Sequence, residues 1–552
     1  MSTAITQTKH PRGLYVLFMT EMWERFGYYL MVGIFFLYMV DPFSNGGLGF
    51  SKGKALDIVG TYVALVYLAP FLGGLIADRL IGYRKAILLG GAMMSAGYFG
   101  LSIHSETAMY VSCLCIILGN GFFKPNISTL LGNMYNEEAL KTKKDSAYNI
   151  FYMGINIGAF ICNFVAAYMR NNYGWGYAFA AAGVGLLIAL VWFAYGMKHV
   201  KHADVIKPTQ PGDMSLGKIL LYVFVPALVF GGIGWMVPGN LMGSDANDAF
   251  LFACLPITVF FGSLYFRANK EDKRGIGALL AFFGVAIIFW IVYNQNATSL
   301  TIWAETYMDR SMPASVEKFV QPLNLVQKVN TTPDTFPAID HYFREQADAK
   351  GNAMTSIAVN PYYQNLPKDQ WPAPGVEQKL VSTEILQSVN PIFIVIFTPL
   401  VLGVFAWFLN RGKAISTPIK LVWAMIFTGL SALIMVVPWY LSDIYMSKSA
   451  AIWLVMSYAI FTIGELLISP IGLSMVSKLA PQRITALMMG GWFLSTSLGG
   501  KFSGMLASTW DTFENKATYF YILTGLCVLA AIGMYIMAKW LRAIIAERTG
   551  SI

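Results

Sequence analysis

Long apolar runs separated by short polar patches fill most of the chain. Runs at about 14–39, 55–77, 86–104, 108–132, 147–169 and 176–197 are each long enough for a helix to cross a bilayer, which takes about 20 residues. Two more follow at about 216–237 and 249–266, and six more at about 276–302, 389–409, 416–440, 450–477, 484–508 and 517–541. The pattern therefore predicts about fourteen membrane-spanning helices. The first run extends past the h-region of a secretory signal, so no cleavable signal peptide is expected. One long hydrophilic stretch, 304–388, breaks the rhythm.

Basic residues in the short loops set the expected orientation. Arg79, Arg84 and Lys85 follow the second run, Lys141, Lys143 and Lys144 the fourth, Lys198, Lys201 and Lys207 the sixth, and Arg267, Lys270, Lys273 and Arg274 the eighth. Arg411, Lys413, Lys478 and Arg483 continue the alternation. Both termini are thus expected in the cytoplasm and 304–388 outside, as a small folded cap or a mobile loop. That stretch holds His341, no Cys and no nucleophile or metal-ligand spacing, which argues against a catalytic domain. Asn330-Thr331-Thr332 is a glycosylation sequon, relevant only in a secretory pathway.

Composition sharpens the picture. Of 552 residues 56% are apolar and only 12% charged, about half the charge of soluble domains. This excludes a disordered chain, a nucleic-acid-binding domain and an ordinary soluble enzyme. The net charge of +9 fits cytoplasmic loops rich in Lys and Arg. All five cysteines (113, 115, 162, 254 and 527) sit in apolar runs, which argues for packing roles rather than disulfides or a metal site.

Against this background, charges inside spans stand out, because they are costly in hydrocarbon. In the first span Glu21, Glu24, Arg25 and Tyr28 fall at i, i+3, i+4 and i+7 and share one helix face. That face is either a proton-titratable, anion-binding wall or a buried ion pair that locks helices. Lys124 is the lone charge of the fourth span, and the carboxylates of the first are its natural partners. Glu465 is flanked by Ile463, Gly464, Leu466 and Leu467, an environment that favours proton exchange or a neutral packing role. Tyr67, Asn156, Tyr293, Gln295 and Asn390 serve as interhelical hydrogen-bonders or ligand contacts, and Trp290 and Trp492 as cavity walls or packing. Asp78, Arg79 and Arg84, around Gly82, read as a gating or structural hinge. Gly119…Pro125 and Gly464…Pro470 share one spacing, a weak repeat of Pro-interrupted helices such as transporter sites use. No phosphate-binding loop, ion-selectivity ring or voltage-sensor pattern is present, which favours a carrier driven by an ion gradient or the substrate's own gradient over an ATPase or channel.

At these residues the chain resembles the proton-dependent oligopeptide transporters, a branch of the major facilitator superfamily. The carrying motifs are Glu21-x-x-Glu24-Arg25-Phe26-x-Tyr28-Tyr29, Gly73-Gly74-Leu75-Ile76-Ala77-Asp78-Arg79-x-x-Gly82-x-Arg84, Phe151-Tyr152-x-x-Ile155-Asn156-x-Gly158, Gln387-Ser388-x-Asn390-Pro391 and Glu465-x-x-x-Ser469-Pro470-x-Gly472-Leu473-Ser474. The resemblance implies an all-α integral membrane protein of the major facilitator fold. A six-helix bundle would span 1–199, a linker with two extra helices 200–275, and a second six-helix bundle 276–552, carrying the extracytoplasmic insertion 304–388.

It further implies a symporter, not an enzyme, that imports di- and tripeptides with protons by alternating access. The setting would be a bacterial inner membrane, with protons as coupling ion, no cofactor or metal, no nucleic-acid partner, and function as a monomer. Arg25 and Lys124 would hold the peptide carboxylate, and Asn156, Asn390 and Glu465 its amino end. Tyr28, Tyr29, Tyr67, Trp290 and Trp492 would line pockets, with Gln295 and Ser469 also at the substrate. Glu21, Glu24, Lys124 and Glu465 would carry the protons. Three positions depart from the family pattern: Asn294 stands where members often carry an acid, Gly60 where animal members carry His, and Gly499-Gly500 where Gly-Asn is usual. Rival readings are a carrier of another small substrate, such as nitrate or a drug, and a receptor or membrane enzyme built on 304–388.

Overall fold

The structure, a computed structural model, describes residues 9–137, 140, 143–205, 215–312, 317–318, 321, 325–348, 352–481 and 484–549. Of the loop cations used for orientation, Lys141, Lys207 and Arg483 lie outside the described residues. Each predicted span is helical: α1 (Arg12–Val40), α2 (Lys52–Ile76), α3 (Tyr83–Leu101), α4 (Glu106–Met134), α5 (Lys144–Tyr173), α6 (Trp175–Gly196), α7 (Leu216–Trp235) and α8 (Asp245–Arg267). After α9 (Lys270–Tyr293) a tight turn and the short α10 (Ser299–Thr306) complete the ninth span. The rest are α11 (Val389–Asn410), α12 (Thr417–Ile434, extended by Val437–Leu441), α13 (Ile452–Leu479), α14 (Thr485–Ser508) and α15 (Lys516–Thr549).

Among the described residues, 11 helical segments are long and apolar enough to cross a membrane. The other three owe their polarity to particular residues. Charges lower α1 and α3, in the latter Arg84 and Lys85, and Gly, Ser and Thr with Lys501 lower α14. Proline interrupts α2, α4, α8, α11 and α13 at Pro70, Pro125, Pro256, Pro399 and Pro470, as membrane helices tolerate.

The chain forms two compact units, Met1–Ile34 with Leu68–Thr209, and Phe35–Tyr67 with Gln210–Ile552. In the first, α3 and α4 touch backbone to backbone. A Cβ on Gly90 would stand 2.4 Å from the Gly119 carbonyl oxygen, so small residues permit the contact. The motif that begins at Gly73 ends α2 in a wide turn, Ala77–Ile81, which carries Asp78 and Arg79. Gly82, at φ 80°, then starts α3. Asp204 caps that start: its Oδ1 accepts the Tyr83 N–H at 2.7 Å and its Oδ2 the Arg84 Nε–H at 2.7 Å. Arg84 therefore has a structural partner in the chain that follows α6.

In the second unit α2 and α14 cross in the same way. A Cβ on Gly60 would lie 2.8 Å from the Gly504 Cα. The extra pair α7–α8 is mostly uncovered by protein, with 17% and 22% of its apolar windows buried, as befits a lipid-facing hairpin. It is pinned where Phe250 and Cys254 pack on Ala64, and where the Ser244 hydroxyl donates to Asp57 at 2.6 Å.

The hydrophilic stretch is a folded cap. Two antiparallel pairs form it, β1 (Val326–Val329) with β4 (Gln378–Val381) and β2 (Asp334–Pro337) with β3 (Thr355–Ala358). Val329, Tyr362, Tyr363 and Leu380 make its core. Arg310, buried, donates to Gln327 Oε1 at 2.7 Å and the Val381 carbonyl at 3.1 Å. Asn365 Nδ2 donates to the carbonyls of Ile444 at 2.9 Å and Ser447 at 3.1 Å, fastening the cap to the α12–α13 loop. In that loop Lys448 donates to the Thr306 carbonyl at 2.6 Å. Burial, with Arg310 nearby, pushes its ammonium down to about 7. The sequon asparagine, Asn330, turns its Oδ1 back to the Thr332 N–H at 3.0 Å.

Candidate functional site

In the first unit, the helical spacing of α1 places its four polar residues together as expected. Glu21, Glu24, Arg25 and Tyr28 are all buried, at 3%, 0%, 3% and 4% exposure. Arg25 grips Glu24 with two donors, Nε on Oε2 and Nη2 on Oε1, the latter at 2.7 Å. Its Nε also lies 3.2 Å from Glu21 Oε1, and its guanidinium sits 5.0 Å from the Tyr28 ring centre. Two parallel donors on one carboxylate make this a strong, directional pair. Glu21 Oε2 is buried with no hydrogen-bond partner among the described residues.

Lys124, on α4, lies within electrostatic reach of Glu21. Tyr29 packs edge-on against Tyr28 at 5.3 Å. Helix α5 runs against α1, where a Cβ on Gly158 would stand 2.4 Å from the Met22 carbonyl oxygen. On α5 the Asn156 amide donates to its own helix, to the Tyr152 carbonyl at 2.9 Å. With both acids ionised the four charged groups sum to zero. One added proton makes the cluster net positive, hence receptive to an anion.

One participant had no signal in the sequence. Tyr98, on α3, is fully buried, feels the charges of Glu24 and Arg25, and has no partner for its hydroxyl among the described residues. A Cβ on Gly27 would lie 3.2 Å from its ring, so Gly27 makes room for it.

The second unit holds the isolated carboxylate. Asn390 Nδ2, on α11, donates to Glu465 at 2.9 Å and to Thr462 Oγ1 at 3.0 Å, both on α13. Thr462 donates its own proton to the Tyr458 carbonyl at 2.7 Å, so it meets Asn390 only as an acceptor. That fixes which end of the Asn390 amide faces Glu465. Ser469 follows Glu465 one helical turn later and is half-buried. The same unit carries an aromatic row: Tyr67 to Trp290 at 6.3 Å, Trp290 to Trp492 at 6.1 Å, and Trp492 stacked on Phe282 at 5.4 Å.

Gln295 belongs to a different set. Its Oε1 accepts from Ser299 and Tyr519, each at 2.6 Å, and its Nε2 donates to Ser503 at 3.0 Å and the Ile291 carbonyl at 3.0 Å. At 1% exposure it is a hub between helices, and it borders a small cavity together with Val292, Tyr458 and Phe461.

A further pair escaped sequence reading. Lys501, on α14, is fully buried and lies 2.7 Å from Asp57 and 2.6 Å from Thr61, both on α2. A single lysine in the apolar run 484–508 was the available signal.

A model of the POT family matches residues 84–331 and 376–523. The chain is 30% identical to the "Uncharacterized transporter YclF" of Bacillus subtilis over 91% of its own length and 88% of that protein's. It is 28% identical to the "Di-/tripeptide transporter" of Lactococcus lactis subsp. cremoris over 96% of this chain and 95% of that one. Among solved structures, the crystal structure of peptide transporter POT in complex with sulfate superposes with a TM-score of 0.72. It has 29% identity and covers 97% of this chain and 96% of that chain.

Proposed function

The chain belongs to the POT family, and from that premise we propose that it imports di- and tripeptides together with protons. It is a multi-pass membrane transporter and not an enzyme. The observation that carries the reading is the segregation of charge: a proton-responsive set with Arg25 and Lys124 in one unit, and Glu465 with Asn390 in the other. A zwitterionic peptide has the same two ends. Its carboxylate goes to Arg25 and Lys124 once a proton leaves that cluster net positive. Its ammonium goes to Glu465, with the Asn390 carbonyl beside it. Tyr28, Tyr29, Tyr67, Trp290 and Trp492 offer flat apolar walls that accept many side chains. Protons, rather than a metal or organic cofactor, couple the cycle, and the site opens to one side of the membrane at a time. Each monomer, in a bacterial inner membrane, works by itself.

Uptake of labelled dialanine into proteoliposomes tests this. Accumulation is expected only with an inward proton gradient. No uptake of any dipeptide, with or without the gradient, sinks the reading in favour of nitrate, a drug or a receptor role.

Orientation has its own test. With both termini cytoplasmic and the cap outside, an impermeant maleimide reaches a cysteine placed at 369 in intact cells but not one placed at 143. The reverse pattern overturns the orientation.

Thr462 enters as a positioning residue. Thr462→Val keeps the shape but removes the acceptor that orients Asn390. A lost neutral hydrogen bond of about 1 kcal/mol predicts a KM about fivefold higher at unchanged turnover. Thr462→Ser should restore it. Equal behaviour of Val and Ser variants refutes the role.

A further inference from the structure

The cap is not simply set on the second unit. It is stitched to the turn between α1 and α2. Phe50 and Asn352 pair as an antiparallel bridge, and the Ala353 N–H donates to the Gly49 carbonyl at 3.2 Å. A carboxylate of the cap, Glu345, accepts the backbone N–H of Lys52, the first residue of α2, and so caps that helix. The Lys52 ammonium in turn donates to the Phe343 carbonyl at 3.4 Å. On the other side the Glu345 N–H donates to Asp511 at 3.2 Å, in the turn between α14 and α15. Arg344 lies 2.6 Å from Asp340 and 3.4 Å from Glu514. The strip, 340–348 with 352–353, therefore ties together two turns that are remote in sequence.

We propose that this strip is an outer clasp on the α1–α2 turn, that it must part for peptide to enter from outside, and that Glu345 takes up a proton when it closes. The proposal rests on the transport reading and on the outer placement of the cap. What marks Glu345 is its surroundings. Its Oε2 is used on α2, but its Oε1 is buried with no hydrogen-bond partner among the described residues. The neighbouring Asp511 has the same condition at Oδ1, with Lys516 Nζ 4.0 Å away, beyond hydrogen-bond reach. Two carboxylates side by side, each with an orphaned oxygen, gain from one proton, which turns an acceptor into a donor. The charged groups around them are Lys52 on α2, Glu514 and Lys516 at the α14–α15 turn, and Arg344 and Asp340 along the strip.

The direction follows from linkage. Burial holds the Glu345 carboxyl above the ordinary carboxylate range. Lys52 opposes this through its charge and its N–H, and Asp511 adds to it. A group that binds its proton more tightly in the clasped state favours that state as pH falls from above its raised value toward the ordinary one. Outer acid therefore closes the clasp, and the penalty of a buried charge loosens it at higher pH. In a proton-driven importer this sign makes the outer door shut more readily once protons have arrived.

Two experiments on the reconstituted full-length protein decide it. Opposed bridge partners lie close enough for a disulfide with a small shift. In a Phe50→Cys/Asn352→Cys variant, oxidation should cut uptake at least about tenfold, and reduction should restore it in the same sample. Full uptake by the oxidised protein overturns the clasp. The second needs no transport and so stands apart from the function itself. A maleimide labels Asn352→Cys, read relative to an exposed reference, Asp369→Cys. The ratio should fall severalfold from pH 7.5 to 5.5, and it should already be low and flat in a Glu345→Gln background. A ratio that is unchanged or rises with acid in the otherwise wild-type background removes Glu345 from the clasp, as does a normal pH response in Glu345→Gln.

Discussion

Glu24→Gln leaves a protein that exchanges peptide across the membrane but no longer concentrates it. Glu24 is wholly buried and uses both oxygens on Arg25. Glutamine keeps the shape and one acceptor but removes the negative charge. Glu21, Arg25 and Lys124 then sum to a net positive charge even with Glu21 ionised, and the cluster no longer alternates between neutral and positive as a proton comes and goes. Anion binding survives, so counterflow of labelled peptide should persist. The link between the proton and the anion is gone, so accumulation driven by a pH gradient should vanish. Lys124→Ala is the complementary case. It leaves Glu21 without one of its cations, and removing one member of a buried pair typically costs about 3–5 kcal/mol. Its expression and monodispersity must therefore be checked first. A well-folded Glu24→Gln protein that still builds a gradient of dipeptide would falsify the coupling scheme.

N-acetylation of a dipeptide should weaken its binding to the wild type by roughly tenfold to a hundredfold. The same modification should cost Glu465→Gln very little. The argument is a cycle between protein and ligand. Acetylation removes the ammonium, and the substitution removes its partner. If the two meet, either change alone forfeits the same charge-assisted hydrogen bond, worth about 1.5–3 kcal/mol. Both together lose it only once. Amidation of the peptide carboxyl should instead be non-additive with Arg25 or Lys124 substitutions. Competition against a labelled dipeptide measures all of these constants. Strictly additive losses for both matched pairs mean that the ends are not held as proposed.

Much of this was legible in the chain. Every span follows from the length of its apolar run, because hydrocarbon forces the backbone into helices whatever the tertiary contacts. The α1 cluster is equally local: a helix of known pitch puts Glu21, Glu24, Arg25 and Tyr28 on one face. What sequence reading leaves open is decided by distant residues. Gln295 had two readings, and the partners that make it a hydrogen-bonding hub, Tyr519 and Ser503, lie more than 200 residues away. Lys501 and Asp57 are 444 residues apart, and only the α2–α14 crossing brings them together. Thr462 is an ordinary helix residue until Asn390 arrives from α11. The cap was the least legible. Its strands are four residues long, too short for alternation to declare itself, and they are held by what they dock on.

The α2–α14 crossing also constrains anyone who would re-engineer this chain. The family resemblance implies that Gly60 stands where animal members carry an imidazole, and the obvious graft is Gly60→His. The crossing forbids it as a single step. Any side chain at 60 has its first carbon well inside van der Waals contact distance of the Gly504 backbone, with no flexible neighbour to yield. The graft must either wedge the two helices apart, and with them the Asp57–Lys501 pair one turn away, or leave the protein misassembled. Whatever route led from one pattern to the other had to move a helix, not just exchange a residue. A titratable group is better sought where this chain already keeps one, on the same helix at position 57.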